Sequence, residues 1–195
     1  HADLLDQLDR AGVRAVGYDV LFADPSQEDP AGDLTLEAVA KGGAGRFLFA
    51  STRLHPDFDA GAPLRASQAP GAFAVAAPAE SDPPLALLLP FGASMAHFSG
   101  VINVTRNEDG VIRDVPLREQ AGSWAVPSLP LRLAATAAAR RPDEFGGTVR
   151  PNWRADSRLP HVSAADLLAG APVCRPPGER LAALADRVVL VGYTA

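Results

Sequence analysis

Leu4, Leu5 and Leu8 recur at helical spacing within Asp3 to Arg10, and Gly12 follows where a left-handed turn would end a helix. The stretch from Val13 to Phe22 is a nearly continuous apolar run of Val, Leu and aromatics, as a strand buried on both faces of a sheet would be. Asp24-Pro25-Ser26 halts it. Leu34 to Lys41 predicts a second helix, followed by Gly42-Gly43-Ala44-Gly45 and the apolar run Phe47 to Ala50. The repeated order of helix, glycine turn and buried strand predicts a parallel βαβ arrangement.

Residues 52–90 lose this regularity among prolines and alanines and read as a long irregular or inserted segment, with one strand near Ala72 to Ala76. Gly100 to Val104, the turn formers Asn107-Glu108-Asp109-Gly110, and Val111 to Leu117 predict an antiparallel hairpin. A two-residue loop would set Arg106 against Arg113, so a four-residue loop is favoured. Ser128 can cap a helix that accepts Pro130 in its first turn, runs to Arg140 and Arg141 and stops at Pro142. Ser163 with Asp166 three residues on marks a shorter capped helix, and Arg187 to Gly192 closes the chain as another strand. The expected fold is therefore α/β, with a mixed, mainly parallel central sheet flanked by helices and an antiparallel hairpin. The Val13 and Val188 runs are expected as its central strands.

At 195 residues, with 47% apolar and 21% charged residues, the chain suits a single globular domain with a real core. The longest apolar stretch, Leu85 to Ala96, is broken by Pro90 and Gly92 and falls short of the roughly 20 residues of a membrane span. His1-Ala2-Asp3-Leu4 reads as a helix start, so any targeting signal is expected outside this sequence. A net charge of −5 without a basic stripe argues against nucleic acid as a partner. Cys174 is the only cysteine, which excludes an internal disulfide and a cysteine-based zinc site. No cofactor is implied.

Several residue clusters resemble sites. Gly42-Gly43-Ala44-Gly45 follows a helix, whereas phosphate-cradling glycines follow a strand, and the third glycine of a dinucleotide fingerprint would be Leu48. Gly92-Ala93-Ser94-Met95-Ala96 approximates a nucleophile elbow whose last glycine is Ala96, with His97 and His161 downstream. His55, Asp57 and Asp59 could ligate a metal only from an extended or looped segment. Asn107 and Asp109 stand where a calcium loop would begin, yet its closing glutamate would be Pro116. Asp19 is the most informative, because an acid in an apolar run needs a partner, a strand end or a ligand. Carboxyl ends of parallel strands line the ligand crevice of open α/β sheets. Asp19 accordingly either binds a ligand, together with Asn103 and Arg113, or makes a structural hydrogen bond to a turn or to Arg113.

The segments Ala11 to Phe22, Asp109 to Arg113 and Arg187 to Gly192, with the helix entry Pro127-Ser128-Leu129 after Trp124, occur in the order and spacing of a known family. The chain resembles the CHASE domain of type two, a cyclase and histidine-kinase associated extracellular sensory domain. That resemblance brackets nearly the whole chain and implies a single sensor domain over residues 1–195. The family usually carries an extra strand and a Trp-Pro-Arg stretch before the first helix and continues past the last strand, so truncation at both ends is expected. It further implies an extracytoplasmic location on an inner-membrane protein, with membrane helices joining it to a histidine kinase, nucleotide cyclase or serine/threonine kinase. The implied partners are an unnamed small-molecule or environmental stimulus, those helices, the output domain and a possible second copy. No catalytic residue carries over. A second class of function stands beside this one: a small α/β hydrolase using Ser94 and a histidine. A module that only dimerises receptors is a third.

Overall fold

Helix α1 (Ala2–Arg10) buries Leu4, Leu5 and Leu8, and Gly12, at a φ of 71°, turns the chain into strand β1 (Ala15–Asp19). In this computed structural model, residues 1–75, 81–104, 108–151, 160–169 and 184–192 are described. Helix α2 (Pro30–Gly42) starts four residues before its first predicted position. The Asp29 carboxylate accepts a hydrogen bond from the Gly32 amide at 2.9 Å, and Pro30 occupies the first turn, where its missing N–H costs nothing. The glycine cluster ends α2 as expected, with Gly45 at a φ of 84°, and leads into β2 (Phe47–Arg53).

Two 3-10 turns follow, Pro56–Gly61 and Ala66–Gln68. Strands β3 (Phe73–Ala74) and β4 (Leu87–Leu88) come next, then the short helix α3 (Ala93–His97) and β5 (Ser99–Val101). Beyond them lie β6 (Val115–Pro116), β7 (Arg118–Ala121), β8 (Trp124–Pro127) and α4 (Leu129–Ala138). Strand β9 (Thr148–Val149), helix α5 (Ala164–Leu168) and strand β10 (Val188–Gly192) complete the order.

The main sheet is parallel across β10, β1, β2 and β5, so the fold is the expected α/β with a mixed, mainly parallel sheet. Strand β4 joins antiparallel at Thr52 and Arg53. Ile102 donates to Ser51 on the β5 side of β2, whereas Leu54 donates to Ala86 on the opposite side. Alternation of backbone groups along a strand therefore puts β4 on the edge that β1 occupies lower down. One face of the sheet packs Val16, Tyr18, Phe47 and Phe49 against α1, α2 and Met95 of α3. The other carries α4, which lies over β1, β2 and β5. A smaller sheet, β3-β8-β7, closes a second cluster around Leu85, Val101 and Val126.

Three expectations are corrected. The hairpin predicted from Gly100–Val104 and Val111–Leu117 does not form: β5 pairs parallel with β2, and Val115–Pro116 pairs with Thr148–Val149. Pro116 has no N–H to donate, which suits a two-residue edge contact and not a long ladder. The hairpin present is β7–β8, closed by Gly122 at a φ of 58° and Ser123, the arrangement of a type II′ turn. Residues 105–107, which carry part of the predicted loop, lie outside the described residues.

The Val188 run is not a central strand. Among the described residues β10 is at the edge of the sheet, with Val188 47% and Leu190 67% exposed. Helix α4 lies mainly over β1, β2 and β5, and in β10 it is Val189 and Val191 that pack against the core formed with α1 and α2. Finally, α4 begins at the Ser128 cap as predicted, the Leu131 amide donating to Ser128 Oγ at 3.3 Å, but ends early because Ala139 takes a left-handed conformation at a φ of 51°. Helix α5 also starts after Ser163, although Ser163 makes no side-chain cap bond.

Candidate functional site

Because β1, β2 and β5 run parallel, Asp19, Arg53 and the residues after Val101 all emerge at the same edge of the sheet. Asp19 is the last residue of β1 and is exposed, not held in the sheet interior. Its carboxylate has no hydrogen bond or ion pair among the described residues, and solvation at the strand end removes the penalty that a buried acid would carry. Arg113, the proposed partner, instead makes a two-pronged pair with Asp109 within its own turn. Asn103 does structural work: its Oδ1 accepts from the Arg53 amide at 2.6 Å and its Nδ2 donates to the Arg53 carbonyl at 2.9 Å. It thereby extends the β2–β5 ladder by one side chain. Asp19→Ala should leave the unfolding free energy from urea titration within about 0.5 kcal/mol of the parent's, whereas Asn103→Ala should cost about 1–2 kcal/mol for its two bonds to the Arg53 backbone. Equal effects would contradict this division.

Arg53 is the hub of this edge. Its side chain is only 10% exposed; it meets the Asp59 carboxylate at 2.6 Å and lies 3.8 Å from Glu119 of β7. It also donates to the carbonyls of Leu54 and Ala86, at 2.9 and 3.1 Å. Asp59 completes the link by accepting from the Ala86 amide at 2.8 Å. One guanidinium thus joins the main sheet, the Pro56–Gly61 turn, the approach to β4 and the smaller sheet. Beyond the end of β2 an open apolar cleft of about 410 Å³ lies between that turn and β4, lined by Leu54, Phe58, Leu64, Leu85, Leu87 and Leu89 among others. Sequence reasoning missed both. The signals available were an arginine directly after an apolar strand and leucines at every other position from Leu85 to Leu89.

The hydrogen bond from Arg53, followed by that from Ala86, holds the Asp59 carboxyl below the usual carboxylate range. The hydroxyl and then the amide of Ser67 do the same for Asp82. A carboxylate whose folded pKa is depressed adds stability that is fully present above its unfolded value, about 3.9, and is lost as pH falls through the folded value. The urea midpoint should therefore drop between pH 5 and about pH 2, and Asp59→Asn should shrink that drop. An unchanged acid limb in Asp59→Asn would contradict the pairing.

The remaining candidates do not assemble. Ser94 sits in α3, and its amide, like that of Met95, donates to the Glu37 carboxylate. An acid therefore occupies the amides that an oxyanion hole would need. His97 places its ring edge-on to Phe98, and His161 is exposed. His55 contacts Asp57 at 3.2 Å while Asp59 turns to Arg53, and no metal-binding group of three occurs among the described residues. Asn107 and Cys174 lie outside the described residues.

A family model described as the CHASE2 domain matches residues 1–195. The chain belongs to the CHASE2 family. No curated protein and no solved structure matches it. CHASE2 domains are sensory extracellular domains, so the sensor class expected from the sequence holds for this chain. Among its described residues no helix is long and apolar enough to cross a membrane.

Proposed function

We propose that this CHASE2 chain is the extracytoplasmic sensor of a bacterial transmembrane receptor, relaying a stimulus through membrane helices to a cytoplasmic histidine kinase, nucleotide cyclase or serine/threonine kinase. The match of the family model along all 195 residues carries this reading. The edge geometry supports it: Arg53 couples two sheets and a turn, so a change at one is felt by the others. A sensor works by binding one conformation more tightly than another. A difference of about 1.4 kcal/mol shifts such an equilibrium tenfold, and Asp19, solvated at the rim, or the neighbouring cleft could supply it.

Location is tested by labelling. Leu34 is 74% exposed, so Leu34→Cys, carried in an intact protein from which every other cysteine including Cys174 has been replaced, offers one reactive thiol. A membrane-impermeant maleimide should modify it in cells whose outer membrane alone has been permeabilised. Modification only after lysis would overturn the extracytoplasmic assignment. Ester hydrolysis by the chain that is lost in Ser94→Ala would return the protein to the enzymes.

A further inference from the structure

We propose that the cleft beyond β2 is a binding site for a small, uncharged, apolar molecule of drug-like size or less. The volume of about 410 Å³ falls in the range of small-molecule sites. Its position fits too, at the carboxyl end of a parallel strand where β4 replaces β1 as the neighbour of β2.

The chemistry of the occupant follows from the walls. Leu54, Phe58, Leu64, Leu85, Leu87 and Leu89 present carbon, and three polar groups beside them are already engaged. The Leu54 amide donates to Ala86, the Leu85 amide donates to Leu64, and the Asp59 carboxylate is held by Arg53 and Ala86. A charged ligand would give up water against these carbon walls at a cost that an uncharged one avoids. Phe58 is 62% exposed at the mouth, a large ring whose removal from water would favour occupancy. The cleft is also preformed, because Asp59 fastens the turn bearing Phe58 to the segment entering β4.

This inference deepens the sensor reading by naming a class of stimulus. Binding is measured on the 195-residue chain itself, so its failure would leave the receptor architecture standing. The probe is N-phenyl-1-naphthylamine, a neutral dye that brightens in apolar surroundings. Its fluorescence should rise saturably, and 1-decanol should displace it while decanoate at equal concentration does not. Phe58→Ser should weaken binding about tenfold or more without moving the melting curve, and Pro63→Glu, at the exposed lip, should act likewise. Leu34→Ser, an exposed leucine on α2 outside the cleft lining, should leave binding unchanged. Absence of saturable binding, equal displacement by decanoate, or equal effects of Leu34→Ser and Phe58→Ser would overturn the proposal. A dimer in sedimentation that Phe58→Ser abolishes would do so as well, by showing that a second copy fills the cleft.

Discussion

Phe49→Ala should lower the unfolding free energy by about 3–5 kcal/mol, the usual cost of emptying a large aromatic site. Phe49 is fully buried at the centre of β2, stacked on Tyr18 at 6.1 Å and edge-on to Phe22 at 6.3 Å. Strands pair on both sides of it, β1 at Tyr18 and β5 at Ser99, so the surroundings cannot collapse into the gap cheaply. Total stabilities run about 5–15 kcal/mol, and the variant should approach the limit of folding. Tyr18 provides a second readout. Burial pushes its hydroxyl up to about 12, and loosening beside it should bring the titration back towards about 10. A loss below about 1 kcal/mol with an unmoved Tyr18 titration would mean that β2 is not the centre of the core.

Gly100→Ala should cost about 3 kcal/mol, the upper part of the range for overpacking. A Cβ at Gly100 would lie 2.6 Å from the Leu129 amide nitrogen, 2.7 Å from its Cα and 2.9 Å from the Ser128 carbonyl carbon. Those are backbone atoms at the capped start of α4, and no rotamer change moves them aside. Displacing them also strains the Ser128 cap and the bridge between Val101 and Ser128. Gly42→Ala is the control, since its Cβ would meet nothing within 4 Å at the end of α2. That change should be neutral or stabilise by up to about 1 kcal/mol. Urea midpoints measure both, and similar shifts would contradict the close approach of β5 and α4.

Much of the main sheet was legible because its signals are local. Leucines in α1, the glycine cluster after α2 and the Ser128 cap each specify an element within a few residues. The edge position of β10 was not legible, since Val188 to Val191 is apolar throughout and composition does not reveal which strands α4 mainly lies over. The hairpin was misplaced because Asn107 to Gly110 is a strong turn signal wherever the flanking residues pair; Asp109 and Arg113 use it to close a turn on themselves. At the candidate site, Asn103 and Asp19 stood out as polar residues by apolar runs, but only the fold shows that one clamps Arg53 and the other faces water. The Arg53–Asp59 link bridges elements whose relative placement the irregular stretch from residue 52 to 90 gave no periodicity to predict.

The central claim is that the state of this domain is read on the other side of a membrane, and output activity of the intact receptor in proteoliposomes tests it most directly. Arg53→Gln unties the main sheet from the Pro56–Gly61 turn, while Leu34→Ser alters only an exposed position on α2. Phosphorylation or cyclic-nucleotide output should change severalfold in Arg53→Gln and match the parent in Leu34→Ser. Output identical to the parent in Arg53→Gln, in a receptor whose domain melts at a lower temperature than the parent's, would contradict the claim.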